Sequence, residues 1–170
     1  MTTVGTAYID RARWHIPACL ERIEHCVGQL DDEQLWWRPH GSMNSVGNVL
    51  LHLCGNLRQW IVSGVGGVPD MRDRPAEFAE RGPIPGDELL GRLRAVVAEA
   101  DAALASLDES RLLEARRIQG FNETALTAIW ESLTHLSGHT QEIIYVTRLQ
   151  LGDEYRTFWT PSTPEQGAAS

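Results

Sequence analysis

Three histidines on two apolar stretches of this chain have the spacing needed to hold one divalent ion. His135 and His139 stand four residues apart in Leu133-Thr-His-Leu-Ser-Gly-His-Thr-Gln-Glu-Ile-Ile-Tyr. On a helix such a pair rises from one face, about 6 Å apart along the axis. His52 sits in Val49-Leu-Leu-His-Leu-Cys-Gly-Asn-Leu. An imidazole from a facing helix would complete three ligands and leave a coordination position open, as in catalytic zinc sites. Glu142, one turn beyond His139, is placed to orient an imidazole through its second nitrogen or to become a fourth ligand. The same spacing also suits an exposed carboxylate on a helix surface.

These side chains need long helices to carry them, and the hydrophobic pattern supplies four. In the first, Ile9, Ile16, Ile23 and Leu30 recur every seven residues, the seam of a bundle helix, with a kink expected between Arg13 and Pro17. A short capped turn follows over Asp31-Asp-Glu-Gln-Leu-Trp-Trp-Arg and ends at Pro39. The second helix starts near Ser42 to Ser45, with Val46, Leu50, Leu53, Leu57 and Ile61 as its core stripe. Asn48, His52, Asn56 and Gln59 form a polar row beside that stripe. Ser63-Gly-Val-Gly-Gly reads as its end, and Pro69 to Pro85 as a long crossover linker that could wall a site.

The third helix spans about Asp87 to Leu107, and Arg111 to Asn122 reads as irregular, with a solvated Arg116-Arg117. The fourth runs from about Thr124 to Leu151 and stops at Gly152. Leu126, Ile129, Trp130, Leu133, Ile144 and Leu151 are expected on one of its faces, with His135, His139, Glu142 and Val146 on the other. No strand pattern stands out. The expected architecture is all-α: a four-helix bundle with a long connection between helices two and three, one domain over residues 1–160, and a disordered tail over residues 161–170.

Composition narrows the function. A net charge of −8 argues against a phosphate-backbone partner. All 15 basic residues are arginine, which removes Schiff-base lysine chemistry and the P-loop lysine. The first twenty residues carry Asp10, Arg11 and Arg13 and do not read as a signal peptide. No run reaches the ~20 apolar residues of a membrane span. A cytoplasmic protein without a membrane or nucleic-acid partner is expected. Cys19, Cys26 and Cys54 read as reduced, partly buried thiols. No Glu-x-x-His pair of the di-iron bundles and no His-Glu-x-x-His of the zincins occurs.

The stretches Asn44-Ser-Val-Gly-Asn-Val-Leu-Leu-His-Leu-Cys-Gly-Asn-Leu-Arg-Gln-Trp-Ile and His135-Leu-Ser-Gly-His-Thr-Gln-Glu-Ile, with Arg148-Leu-Gln-Leu-Gly, resemble the DinB/YfiT-like superfamily. The resemblance runs from about Ala7 to Trp159, and the proline in helix one and Leu35-Trp-Trp-Arg-Pro fit it. It implies a four-helix bundle of variant up-and-down topology, often dimeric, with a metal site on His52, His135 and His139 occupied by zinc or nickel. It also implies a transferase or isomerase that uses a low-molecular-weight thiol such as bacillithiol, mycothiol or glutathione, and a small-molecule substrate. A metal-assisted hydrolase, or a non-catalytic metal-binding or dimeric interaction bundle, would keep the same residues. Asn48 and Asn56 flank His52 at one-turn spacing, either as substrate or ligand contacts or as satisfied polar residues at the bundle flank.

Overall fold

Side-chain caps set where most of the helices begin. Thr3 with Thr6, Asp31 with Gln34, Ser45 with Asn48 and Thr124 with Thr127 form reciprocal capping boxes that satisfy the free N–H groups of a first turn. The computed structural model describes residues 2–159. Its helices are α1 (Val4–Val27), α2 (Asp32–Trp36), α3 (Val46–Leu57), α4 (Arg74–Ala79), α5 (Gly86–Ala105) and α6 (Ala125–Leu151). α1 continues on both sides of Pro17. Gly152 stops α6 with a φ of 54°, a left-handed conformation that side chains disfavour.

Four long helices make the bundle. α1 packs on α5 and α6, and α3 packs on the same two. The seven-residue repeat of α1 is buried at Ile9, Ile16 and Ile23, with Ala12, Cys19 and Cys26 filling the turns between them. α3 buries Val46, Leu50, Leu53 and Leu57. It then widens into a π-helical turn, Arg58–Ser63, where the N–H groups of Gly64 and Gly66 reach back to the carbonyls of Gln59 and Ile61, both at 2.9 Å. α5 contributes Leu89, Leu93, Val96, Ala100 and Leu104 to the same core. The three cysteines are free, and among the described residues no helix is long and apolar enough to cross a membrane. The tail expected over residues 161–170 lies outside the described residues.

Three expectations are corrected. The segment read as irregular holds an antiparallel hairpin, β1 (Ala115–Ile118) paired with β2 (Phe121–Thr124), Ile118 opposite Phe121. Strands of four residues are too short for an alternating pattern to stand out. Within it Arg116 is half-buried and pairs with Glu114 at 2.8 Å. The connection between α3 and α5 is not a bare linker, because it carries α4, capped by Asp73. Finally, the buried stripe of α6 is Ala125, Ala128, Ile129, Ser132, Leu136, Thr140, Ile143 and Thr147, while Trp130 is exposed and Leu126, Leu133 and Ile144 are half-buried. Small residues lie inward there because α1 and α3 both press on this helix. Thr140 and Thr147 satisfy their hydroxyls on the carbonyls of Leu136 and Ile143, each at 2.8 Å.

Candidate metal centre

The histidine of α3 is positioned by the polar row beside its core stripe. Asn48 is fully buried. Its amide nitrogen donates to the carbonyls of Glu77 (2.9 Å) and Glu80 (3.0 Å), and its oxygen accepts from Arg38 (2.6 Å) and the Ser45 hydroxyl (2.8 Å). Asn48 therefore ties α4 to the start of α3. Asn56 accepts from Ser132 at 3.4 Å and links α3 to α6. Asn48 is thus a satisfied structural group, the second of the two roles its spacing allowed.

His52, on α3, and His135 and His139, on α6, converge. The ring centroids lie 4.9 Å (His52–His135), 5.1 Å (His52–His139) and 4.5 Å (His135–His139) apart, the planes crossing at 78°, 78° and 85°. One potential ligand atom from each residue falls within 4.8 Å of the others. His52 donates from Nδ1 to Glu77 Oε2 at 3.0 Å, and His139 donates from Nδ1 to Glu142 Oε2 at 2.6 Å. Those pairings favour the Nδ1–H tautomer of both rings, which puts the acceptor lone pair on Nε2. Arg72 Nη2 also lies 3.0 Å from His52 Nδ1. A guanidinium only donates, and a nitrogen donating to Glu77 cannot accept, so that approach follows from the Glu77 pairing.

Electrostatics keep His135 in its ligand form. Burial first, then the positive fields of His139, His52, Arg72 and Arg74, push His135 down to about 4, so this imidazole is neutral at neutral pH. The hydrogen bond from His139 holds the Glu142 carboxyl below the usual range. For Glu77, burial pushes the carboxyl up, but hydrogen bonds from Arg72 and His52 outweigh it and the net shift is downward.

Three imidazoles, two of them backed by carboxylates, are a donor set that could hold a divalent ion. His52 Nε2 and His135 Nε2 are 2.8 Å apart. Two nitrogens on a tetrahedral zinc would be about 3.3 Å apart, so this pair would open by about half an ångström to admit the ion.

Beside the cluster lies a shallow, open cleft of about 390 Å³ along the surface of α6, bordered by Glu131, Thr134, His135, Gly138, His139 and Glu142. All six belong to α6. The connection from Pro69 to Pro85, read in the sequence as able to wall a site, instead packs behind His52. Phe78 packs against the His52 ring, centroids 4.9 Å apart and planes tilted by 40°, and Arg72 and Glu77 close the rear.

The other histidines stand apart. His15 bonds the Ser137 hydroxyl (2.7 Å), His25 the Arg156 carbonyl (2.5 Å) and His40 the Ser42 hydroxyl (2.9 Å). Glu77, Arg72 and Phe78 were missed in the sequence because they fall in the stretch read as linker. The signal was present there: Asp73-Arg-Pro places an N-cap oxygen before a proline in a first helical turn.

The bundle is DinB-like. A DinB-like protein from Bacillus cereus superposes with a TM-score of 0.61 at 17% identity, over 78% of this chain and 85% of that one. A conserved protein from Enterococcus faecalis superposes with a TM-score of 0.70, also at 17% identity, over 89% of this chain and 99% of that one. At such identity the likeness is one of fold. No curated protein matches the sequence. The chain belongs to the family DUF1572, described as a protein of unknown function, whose model it matches over residues 3–163.

Proposed function

We propose that this protein is a metal-dependent enzyme that uses a low-molecular-weight thiol in a transferase or isomerase reaction, with His52, His135 and His139 as ligands of one zinc or nickel ion. The observation that carries the reading is the convergence of three imidazoles, two with tautomers held by carboxylates, beside an open cleft. A divalent ion held by the three imidazoles would supply a Lewis-acid position that lowers a thiol's pKa below its ordinary value of about 8.5.

Glu142 is the proton acceptor. Its Oε2 holds His139, its other oxygen has no hydrogen bond among the described residues, and it lines the cleft. The thiol proton passes to that free oxygen, and the sulfur forms a bond to an electrophilic carbon of the second substrate. In a transfer reaction the leaving group departs with the electron pair of the broken bond and takes the proton back from Glu142. Phe78, tilted against the His52 ring, covers it on the side of the connection.

Turnover of an activated aryl halide tests this, using protein loaded with zinc or nickel and a panel of glutathione, bacillithiol and mycothiol. The expected result is turnover that requires both the ion and one of the thiols. Metal-loaded protein that is inert with every thiol, or equally active without any, overturns the reading.

A further inference from the structure

We infer that Glu77, clamped by Arg72, is a positioning residue that fixes His52 as an Nε2 ligand, so that the connection between α3 and α5 sets the metal affinity of a site whose ligands all lie elsewhere. This rests on the metal reading above and extends it to two residues that contribute no ligand.

The clamp is a buried, bidentate ion pair. Arg72 Nε donates to Glu77 Oε1 at 2.6 Å and Nη2 to Oε2 at 2.8 Å. The side chains are only 2% and 9% exposed. The remaining Arg72 nitrogen, Nη1, donates to Gln59 Oε1 at 2.8 Å, from the π-helical turn that follows α3. The Glu77 backbone is held as well, through its carbonyl and Asn48. Gly55 leaves the space: a Cβ there would collide with the Glu77 carboxylate and with Arg72 Nε.

Such an arrangement does more than attach a loop. Apolar side chains of similar volume would pack α4 on α3 at least as well as a buried ion pair, because removing charges from water offsets most of their attraction. What an apolar contact cannot do is accept a hydrogen bond from His52 Nδ1. Without an acceptor there, nothing keeps the proton off Nε2, the nitrogen that faces His135.

The two carboxylate–histidine pairs therefore have divided roles. Glu142 is half-exposed, has one partner and borders the cleft, so it is free to exchange a proton. Glu77 has both oxygens committed to Arg72 and is shut away from solvent, so it orients. The Arg72 charge offsets that of Glu77 and leaves the positive charge of the ion undiminished.

The test uses the full chain and two readouts. Long-range proton–nitrogen NMR on metal-free protein reports the His52 tautomer, and Co²⁺ titration reports affinity. In the wild type the His52 proton resides on Nδ1. In Glu77→Leu it moves to Nε2, and Co²⁺ binds about 10- to 100-fold more weakly. Where that variant does not fold because Arg72 is left unpaired, the double variant Arg72→Met, Glu77→Leu carries the test with the same expected shifts. Wild-type protein with the Nε2–H tautomer, or a folded variant with unchanged affinity, overturns the inference. A wild type with the Nδ1–H tautomer that takes up no Co²⁺, Zn²⁺ or Ni²⁺ overturns the metal reading and this inference with it. The tautomer, read without any ion, shows which of the two failed first.

Discussion

His52 Nε2 and His135 Nε2, 83 residues apart in sequence, lie 2.8 Å from each other across the α3–α6 contact. Because His52 already donates from Nδ1 to Glu77, its Nε2 is the acceptor, and in metal-free protein the shared hydrogen belongs to His135. The proton of His135 can move to its other nitrogen when an ion takes its place. A direct imidazole–imidazole hydrogen bond thereby joins α3 to α6 within the cluster.

Removing the pair on α6 should abolish metal uptake and spare the fold. The double variant His135→Ala, His139→Ala is expected to retain the far-ultraviolet circular dichroism of the wild type, because the buried stripe of α6 contains neither imidazole. Elemental analysis should find about one zinc or nickel ion per wild-type chain and none in the variant. Equal metal in the two proteins refutes the ligand assignment, and a loss of helicity in the variant makes the metal structural.

Glu142→Gln should separate holding the ion from moving the proton. The amide oxygen still accepts from His139 Nδ1, so metal content is expected to stay near the wild-type value. Thiol-dependent turnover should fall by about 10² to 10⁴, the usual contribution of a positioned base. Unchanged turnover would remove Glu142 from the chemistry.

Gly55 and Gly91, both inside helices, should respond to alanine with opposite signs. At Gly91, on α5, nothing lies within 4 Å of an added Cβ, and the gain in helix propensity should stabilise the protein by up to about 1 kcal/mol. At Gly55 the Cβ meets the Arg72–Glu77 clamp, and overpacking should reverse that gain with a net cost of about 1–3 kcal/mol. Urea melts of the two variants in metal-free buffer decide it. Parallel stabilisation would mean that the clamp yields easily.

The chain's own thiols should be silent. Burial pushes Cys54, two residues from His52, up to about 12, and raises Cys19 and Cys26 as well. At pH 8 a disulfide reagent such as Ellman's should label none of them quickly in native protein and all three in denaturant. One thiol reacting rapidly in the native state would offer an internal nucleophile and weaken the case for an external one.

Tyr8 joins α1 to the first turn of α6 through a hydrogen bond from its hydroxyl to the Leu126 carbonyl at 2.8 Å. Burial raises this phenol from 10.0 to about 12. A folded value above the unfolded one means the unfolded chain ionises first, so the associated stability is complete below pH 10 and is lost as pH rises from 10 through about 12. Tyr8→Phe should cost about 1 kcal/mol at neutral pH, and the difference between the proteins should shrink across that alkaline range. A constant difference from pH 8 to pH 12 would contradict the shift.

Local patterns in the sequence carried the bundle and the three imidazoles. The heptads of α1, the stripe of α3 and the capping residues Ser45 and Thr124 each act over one or two turns, where side-chain chemistry and helical period suffice to place an element. The i, i+4 spacing of His135 and His139 likewise puts both rings on one side of α6 before any packing is known.

The inward face of α6 and the surroundings of His52 depended on tertiary contact. Apolarity alone favoured Trp130 and Leu133 over Ser132 and Thr140 as core residues. Close packing between helices reversed that order, because small side chains fit the gap and their hydroxyls could bond to nearby groups. Glu77 and Arg72 read as surface charges in a linker, the ordinary fate of such residues in water. Only the folded chain, by bringing α4 over Gly55 and pairing the two charges before burying them, could turn them into the support of His52, since a buried carboxylate is stable where a cation and hydrogen-bond donors meet it in three dimensions.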